Sequence, residues 1–181
     1  LNDVVRRQVN DLNCELNVYE LPRDVTAEDL AGSTVIVLDI LRATTTITQA
    51  LASGAAEVVT FLEIPDTLAA KEQGGAEIVL GGERRGKRID GFDFGNSPSE
   101  YCSSSVGGKR VFITTTNGTR ALGHARLASR ILVGGFVNLS ALAASVKDEP
   151  RVNILCAGTD GEVTREDTLA AGAIVARLQA A

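Results

Sequence analysis

Asp39 and Arg42 stand directly after Thr34-Val-Ile-Val-Leu38, a run apolar enough for a buried strand, and Thr44-Thr45-Thr46 follows at once. A carboxylate, a guanidinium and three hydroxyls at the mouth of a strand are the groups that handle an oxyanion. The pattern recurs. Gly81-Gly-Glu83-Arg84 follows the apolar run 76–80, and Thr114-Thr-Thr116-Asn117-Gly118-Thr119 follows 110–113. Gly134-Gly-Phe-Val-Asn138 follows 130–133, and Cys156-Ala-Gly158-Thr159 follows 152–155. Parallel strands bring such carboxyl ends to one edge, where open α/β sheets bind their ligands.

The residue types suggest specific chemistry. Thr44–46 and Asn117-Gly118-Thr119 open helical patterns, where unpaired N–H groups and the positive dipole end suit phosphate, sulfonate or carboxylate. A single threonine there would be an ordinary N-cap; three in a row, twice, exceed what a cap needs. The carboxylates on the same edge are Asp39, Glu83 and the pair Glu166-Asp167. A hard cation such as magnesium takes oxygen ligands together with phosphate, so Asp39, Glu83 and Asp167 are candidate metal ligands or catalytic acids. Arg42 and Arg84 are candidates for bidentate oxyanion binding. Arg85, Lys87 and Arg88 read as a solvated rim.

Familiar signatures fail one by one. Gly81-Gly-Glu-Arg-Arg-Gly86-Lys87 fits a P-loop as far as its lysine, but Arg88 replaces the hydroxyl and no helical pattern follows. No G-x-G-x-x-G follows a strand. A cysteine phosphatase needs an arginine six residues after its cysteine; Glu162 stands there after Cys156, and Gly108 after Cys102. An aspartyl-phosphate enzyme needs a second aspartate where Leu41 stands. The single histidine, His124, lies in a helical pattern, and no Ser-His-Asp set can be assembled around it. Cys156 reads as a small buried residue rather than a nucleophile. What remains is hydrolysis of a small phosphorylated acid by a metal-polarised water.

The elements that must position these residues alternate. Strand patterns fall at 15–19, 34–38, 57–62, 76–80, 110–113, 130–133 and 152–155. Helical patterns fall at 43–53, 65–73, 98–104, 119–128, 139–147 and 165–179. Strands apolar on both faces belong to parallel sheets covered by helices, so the expected fold is α/β, a three-layer α/β/α sandwich with a mostly parallel sheet. Residues 81–97 hold five glycines and clustered charge without either period, which predicts a glycine-rich active-site loop. Phe92 and Phe94 should fold it back onto the protein.

Composition narrows the class. The chain has 181 residues, 44% hydrophobic and 23% charged, and a net charge of −5. That suits one soluble domain and argues against binding nucleic acid through overall charge. No apolar run reaches membrane-spanning length and no signal peptide is evident, which points to the cytoplasm. Three scattered cysteines support neither a disulfide framework nor a structural zinc. The absence of methionine predicts a sequence that does not start at its initiator, and the lack of a stop signal in the helical stretch 169–181 predicts a natural chain that continues beyond residue 181.

Several stretches together resemble the 2-phosphosulfolactate phosphatase family: Val37-Leu-Asp39-Ile-Leu-Arg42-Ala-Thr-Thr-Thr46, Gly81-Gly-Glu83-Arg84, Gly91-Phe-Asp93-Phe-Gly95-Asn96-Ser97-Pro98, and Thr114-Thr-Thr-Asn117-Gly118-Thr119. Cys156-Ala-Gly158-Thr159 and Glu166-Asp167 extend the match, which keeps one order from about residue 34 to 175. The resemblance implies a single α/β phosphatase domain over 1–181, incomplete at its carboxyl end. It also implies a magnesium-dependent hydrolase that converts 2-phospho-3-sulfolactate to 3-sulfolactate, a step of coenzyme M biosynthesis in methanogens. The expected partner is a small anionic substrate, with no nucleic acid and no membrane, and a homo-oligomer is left open. On this reading Asp39 holds magnesium against the phosphate, and Glu83 or Asp167 orients the attacking water. Thr44, Thr45, Thr46, Arg84, Asn96, Ser97, Thr116, Asn117, Gly118, Thr119, Asn138, Gly158 and Thr159 are the expected substrate contacts. A phosphatase of another small phospho-acid, and a non-catalytic anion-binding module, are the alternatives.

Overall fold

The computed structural model describes residues 14–180; residues 1–13 and 181, counted in the expected domain, lie outside the described residues. The apolar runs do form parallel strands. Strands β1 (Glu15–Tyr19), β8 (Arg151–Cys156), β2 (Thr34–Leu38) and β7 (Arg130–Gly134) pair in that order, all parallel. A second sheet has the order β3 (Glu57–Thr60), β6 (Arg110–Thr114), β4 (Ile78–Arg84) and β5 (Lys87–Arg88), parallel except for the β4–β5 hairpin. The α/β class and the mostly parallel pairing are as the sequence predicts; the strands divide between two sheets instead of filling one.

Each sheet is covered on both faces, which is why its strands are apolar on both faces. On the first sheet, Ile36, Leu38, Val152 and Ile154 pack under helices α5 (Leu139–Val146) and α6 (Arg165–Gln179). Val35, Val37 and Leu155 face Ala121 and Ala125 at α4 (Gly118–His124) and its end. On the second sheet, Val58, Val79 and Val111 meet Ala50 of α1 (Ala43–Ala52) and Val106 of the short α3 (Ser103–Val106). Val59, Ile78, Leu80 and Phe112 pack on α2 (Ile64–Gly74) and on Phe92.

Helix α1 joins the two sheets. It leaves β2 of the first, lies against β7, and delivers β3 to the edge of the second. Its threonines serve this role. Thr44 Oγ1 lies 2.7 Å from the Gly134 carbonyl at the end of β7, and Thr46 Oγ1 donates to the Asn96 carbonyl beside the second sheet.

The segment 81–97 is more ordered than a glycine-rich loop. Its first four residues complete β4, Arg85-Gly86 turn the chain, and β5 runs back. The remainder lies beside β4 as expected from its phenylalanines, with Phe94 N donating to the Leu80 carbonyl and the Gly82 N–H to the Phe94 carbonyl. Tyr101 Oη closes the fold by donating to the Gly95 carbonyl at 2.7 Å. Glycine is required at two strand positions: a Cβ on Gly81 would fall 2.0 Å from Tyr101 Oη, and one on Gly82 (φ +146°) 2.1 Å from the Thr114 carbonyl oxygen. Among the described residues, no helix is long and apolar enough to cross a membrane.

Gly82→Ala must move β4 away from β6. Its stability, read from urea unfolding, is expected to fall by about 2–4 kcal/mol; a loss under about 0.5 kcal/mol, the usual size of a neutral surface change, would overturn this account of the strand.

Candidate active site

The strand ends meet in a cleft of about 520 Å³ lined by Asp39, Leu41, Arg42, Glu83, Arg85, Gly86, Asn96, Thr116, Asn117, Thr159 and Asp160. Asp39 follows β2, Glu83 ends β4, Thr116-Asn117 follow β6 and Thr159 follows β8. A larger groove of about 750 Å³ lies between β3 and β7, but its walls are mainly apolar, with Ile47, Leu51, Val58 and Ile131 among them. The convergent acids, amides and guanidinium groups are in the smaller cleft.

Its carboxylates are buried and held by backbone. Asp39 is 8% exposed. Its Oδ1 accepts the Ala43 N–H at 3.0 Å, and the Gly118 N–H also holds it. Gly118 has no room for a side chain, since a Cβ would sit 2.6 Å from Asp39 Oδ2. Burial pushes the Asp39 carboxyl up to about 6, and the charges of Asp167 and Glu83 add to the rise, against the two N–H bonds. Glu83 accepts Thr116 N at 2.7 Å on Oε1, and Gly86 N at 2.7 Å and the Thr116 hydroxyl at 3.2 Å on Oε2. Both carboxylates thus fix the loops that surround them.

Asp167 does not line the cleft. Its Oδ1 accepts Ile40 N at 2.8 Å and its Oδ2 accepts Gly158 N at 3.1 Å, so it ties the loop after β2 to the loop after β8. Burial raises its pKa, opposed by those two N–H bonds. Both oxygens of the expected third ligand thus already accept backbone N–H groups. Among the described residues, no three His, Cys, Asp or Glu side chains are grouped to hold a metal ion. The cleft still offers oxygen donors suited to a hard cation: the Asp39 and Glu83 carboxylates, and the side-chain amide oxygen Oδ1 of Asn96, which is buried without a partner among the described residues. Magnesium is usually held by one or two carboxylates with waters and phosphate completing the shell, so this donor set fits it.

Of the other expected contacts, Arg42, Asn96, Thr116, Asn117 and Thr159 line the cleft. Thr44, Thr45 and Thr46 do not; their hydroxyls bond Gly134, Ile40 and Asn96 carbonyls, because an interior helix start between two sheets must satisfy its own surroundings first. Arg84 is likewise engaged, its guanidinium donating to the Glu83 and Leu62 carbonyls and the Thr114 hydroxyl. Thr119 exchanges hydrogen bonds with Thr115, and Asn138 bonds Gly135 N and the Val133 carbonyl. Ser97 pairs with Ser99, while Gly118 and Gly158 serve as backbone under Asp39 and Asp167. Leu41 and Asp160 were not expected in the cleft; Arg85 and Gly86 were expected only as part of the active-site loop at 81–97, with Arg85 in its solvated rim. Burial pushes the Cys156 thiol up to about 12, which leaves it un-ionised and no nucleophile.

Fold and cleft together define a mostly parallel α/β protein that gathers buried carboxylates and arginine guanidinium groups in one cleft at its strand ends. The profile of the family described as 2-phosphosulpholactate phosphatase matches residues 19–181. A probable 2-phosphosulfolactate phosphatase of Caldanaerobacter subterraneus subsp. tengcongensis is 40% identical over 166 residues, 91% of this chain and 69% of the relative. Relatives of the same description from Clostridium tetani (43% over 155 residues; 84% and 66%) and Thermotoga maritima (41% over 146 residues; 81% and 63%) are similar. The chain spans about two thirds of the length of these relatives. It belongs to the 2-phosphosulfolactate phosphatase family.

The raised pKa has a measurable consequence. Asp39 binds its proton more tightly when folded than at its ordinary value of 3.8. Its protonation therefore favours the folded state fully below pH 3.8, and that contribution is lost as pH rises through about 6. The lost stabilisation is on the order of 3 kcal/mol. In chelator, the stability of wild type relative to Asp39→Asn is expected to climb as pH falls from about 8 to about 4, by denaturant titration at each pH. A difference that does not change with pH would refute the assignment.

Proposed function

We propose that this chain is a magnesium-dependent phosphatase that hydrolyses 2-phospho-3-sulfolactate to 3-sulfolactate and inorganic phosphate. The reading is carried by one observation: residues from four strand ends line a single cleft that holds two buried carboxylates, the Asn96 Oδ1 amide oxygen, buried without a partner among the described residues, and the guanidinium groups of Arg42 and Arg85. Family membership supplies the substrate, whose phosphate, carboxylate and sulfonate match a cleft rich in oxyanion donors.

Asp39 and Asn96 Oδ1 would hold the ion, with Glu83 in the same cleft. Magnesium, when bound, supplies positive charge to the phosphate oxygens and acidifies a bound water. Arg42, at the start of α1, grips the phosphate in bidentate fashion. Glu83 orients the attacking water and takes its proton. The new bond joins the water oxygen to phosphorus as the ester oxygen–phosphorus bond breaks. The leaving alkoxide takes a proton from solvent and departs as the hydroxyl of sulfolactate, Glu83 gives its proton up to solvent, and no phosphorylated side chain forms. Asp167 acts on none of these atoms; it keeps the Ile40 and Gly158 loops in place.

Phosphate release from 2-phospho-3-sulfolactate is expected to stop in chelator and return with added magnesium. Asp39→Asn and Glu83→Gln are each expected to lower kcat/KM at least about 100-fold while retaining the folded circular dichroism spectrum. Turnover that survives both chelation and Asp39→Asn would sink the mechanism.

A further inference from the structure

Two hairpin tips border the cleft, and they share a backbone. Arg84 pairs with Lys87 across Arg85-Gly86, and Thr159 exchanges both backbone hydrogen bonds with Glu162 across Asp160-Gly161. The central residues all have positive φ: +53° and +75° in the first tip, +52° and +82° in the second. Such two-residue turns favour Asn-Gly, Asp-Gly or Gly-Gly, because a left-handed conformation is costly for most side chains. Asp160 therefore follows ordinary turn chemistry, whereas Arg85 opposes it. Among the described residues, only these two non-glycine positions have positive φ. Left-handed strain held in a cleft is a marker of function.

The side chain indicates which function. Arg85 lines the cleft and is exposed at its rim. Among the described residues no hydrogen bond or salt bridge engages its guanidinium, in contrast to neighbouring Arg84, whose guanidinium makes three hydrogen bonds within the fold. Its backbone is nevertheless fixed: Arg85 N donates to the Thr116 hydroxyl, and the next N–H, of Gly86, holds Glu83. The tip thus joins a free guanidinium rigidly to a catalytic carboxylate. Arg42 occupies the α1 side of the cleft, and Arg85 stands on the hairpin of the other sheet.

We propose that Arg85 is the specificity-determining residue for one of the two acid groups that do not react, binding the sulfonate while Arg42 holds the phosphate. The assignment rests on the phosphatase reading for its substrate, and concerns recognition instead of bond breaking. A planar five-donor fork matches a sulfonate's oxygens.

The test uses the 181-residue chain and two phosphate esters, 2-phospho-3-sulfolactate and 2-phospholactate, which carries a methyl in place of the sulfonate arm. Arg85→Gly and Arg85→Asn both suit the turn. They are expected to melt no lower than wild type, while the kcat/KM preference for the sulfonated ester falls about 10- to 100-fold. An unchanged preference overturns the assignment, and more firmly so if the melting temperature also drops, since Arg85 would then be a structural residue. A second arm reads binding without turnover, as the rise in melting temperature with 3-sulfolactate compared with lactate. If wild type hydrolyses neither ester, the phosphatase reading fails on its own. Arg85 then stands if sulfolactate protects wild type more than lactate does and Arg85→Gly abolishes the difference; it falls if wild type shows no difference or the variant keeps it.

Discussion

Buried carboxylates held by backbone N–H groups are the constraint on which this molecule turns. Asp39 is held by the start of α1 and by Gly118, Glu83 by Thr116 and Gly86, and Asp167 by Ile40 and Gly158. Each bond crosses from one strand-end loop to another or fixes a loop on itself. A carboxylate removed from water is costly unless charge-assisted hydrogen bonds replace its hydration. The fold meets that cost with the N–H groups that irregular loops would otherwise leave unpaired. The same bonds that make the charges tolerable therefore give the loops their shape. Where the replacement falls short, as at Asp39, the deficit remains as a raised pKa, and a cation or a positively charged ligand arm has something to relieve.

This division of labour explains why neighbouring residues of one type have different fates. Arg84 and Arg85 are adjacent, but the strand twist turns the first inward to three fold partners and the turn presents the second to solvent. Thr44, Thr45 and Thr46 look like an anion-binding row, yet each hydroxyl has a carbonyl to satisfy. Their repetition reflects a helix seated between two sheets, with a hydroxyl needed on each side.

Much of this was legible in sequence and some was not. Alternation of apolar runs with helical periods is a local signal, so β2, α1, β6 and α6 fall close to where their patterns lie. The rule that parallel strands present their carboxyl ends together correctly brought Asp39, Glu83, Asn117 and Thr159 to one cleft. Two kinds of information were missing. The division into two sheets depends on which strands pair, a long-range choice that β-branched runs do not encode. The direction of a side chain at a loop depends on φ, and nothing in the letters Arg-Arg-Gly shows which arginine sits at the left-handed position until the β4–β5 register is known.

Helix α1 carries a further implication. Asp39 hangs from one sheet and Glu83 from the other, and the spacing between them is set by how Ile47 and Ala50, both buried, seat the helix between its neighbours. The pocket is therefore a seam, not a socket. A bulkier residue at either position would act as a wedge, prising the two acids apart without touching either one. Drift in packing far from the substrate thus becomes a route by which members of one family retune turnover while their chemical groups stay the same.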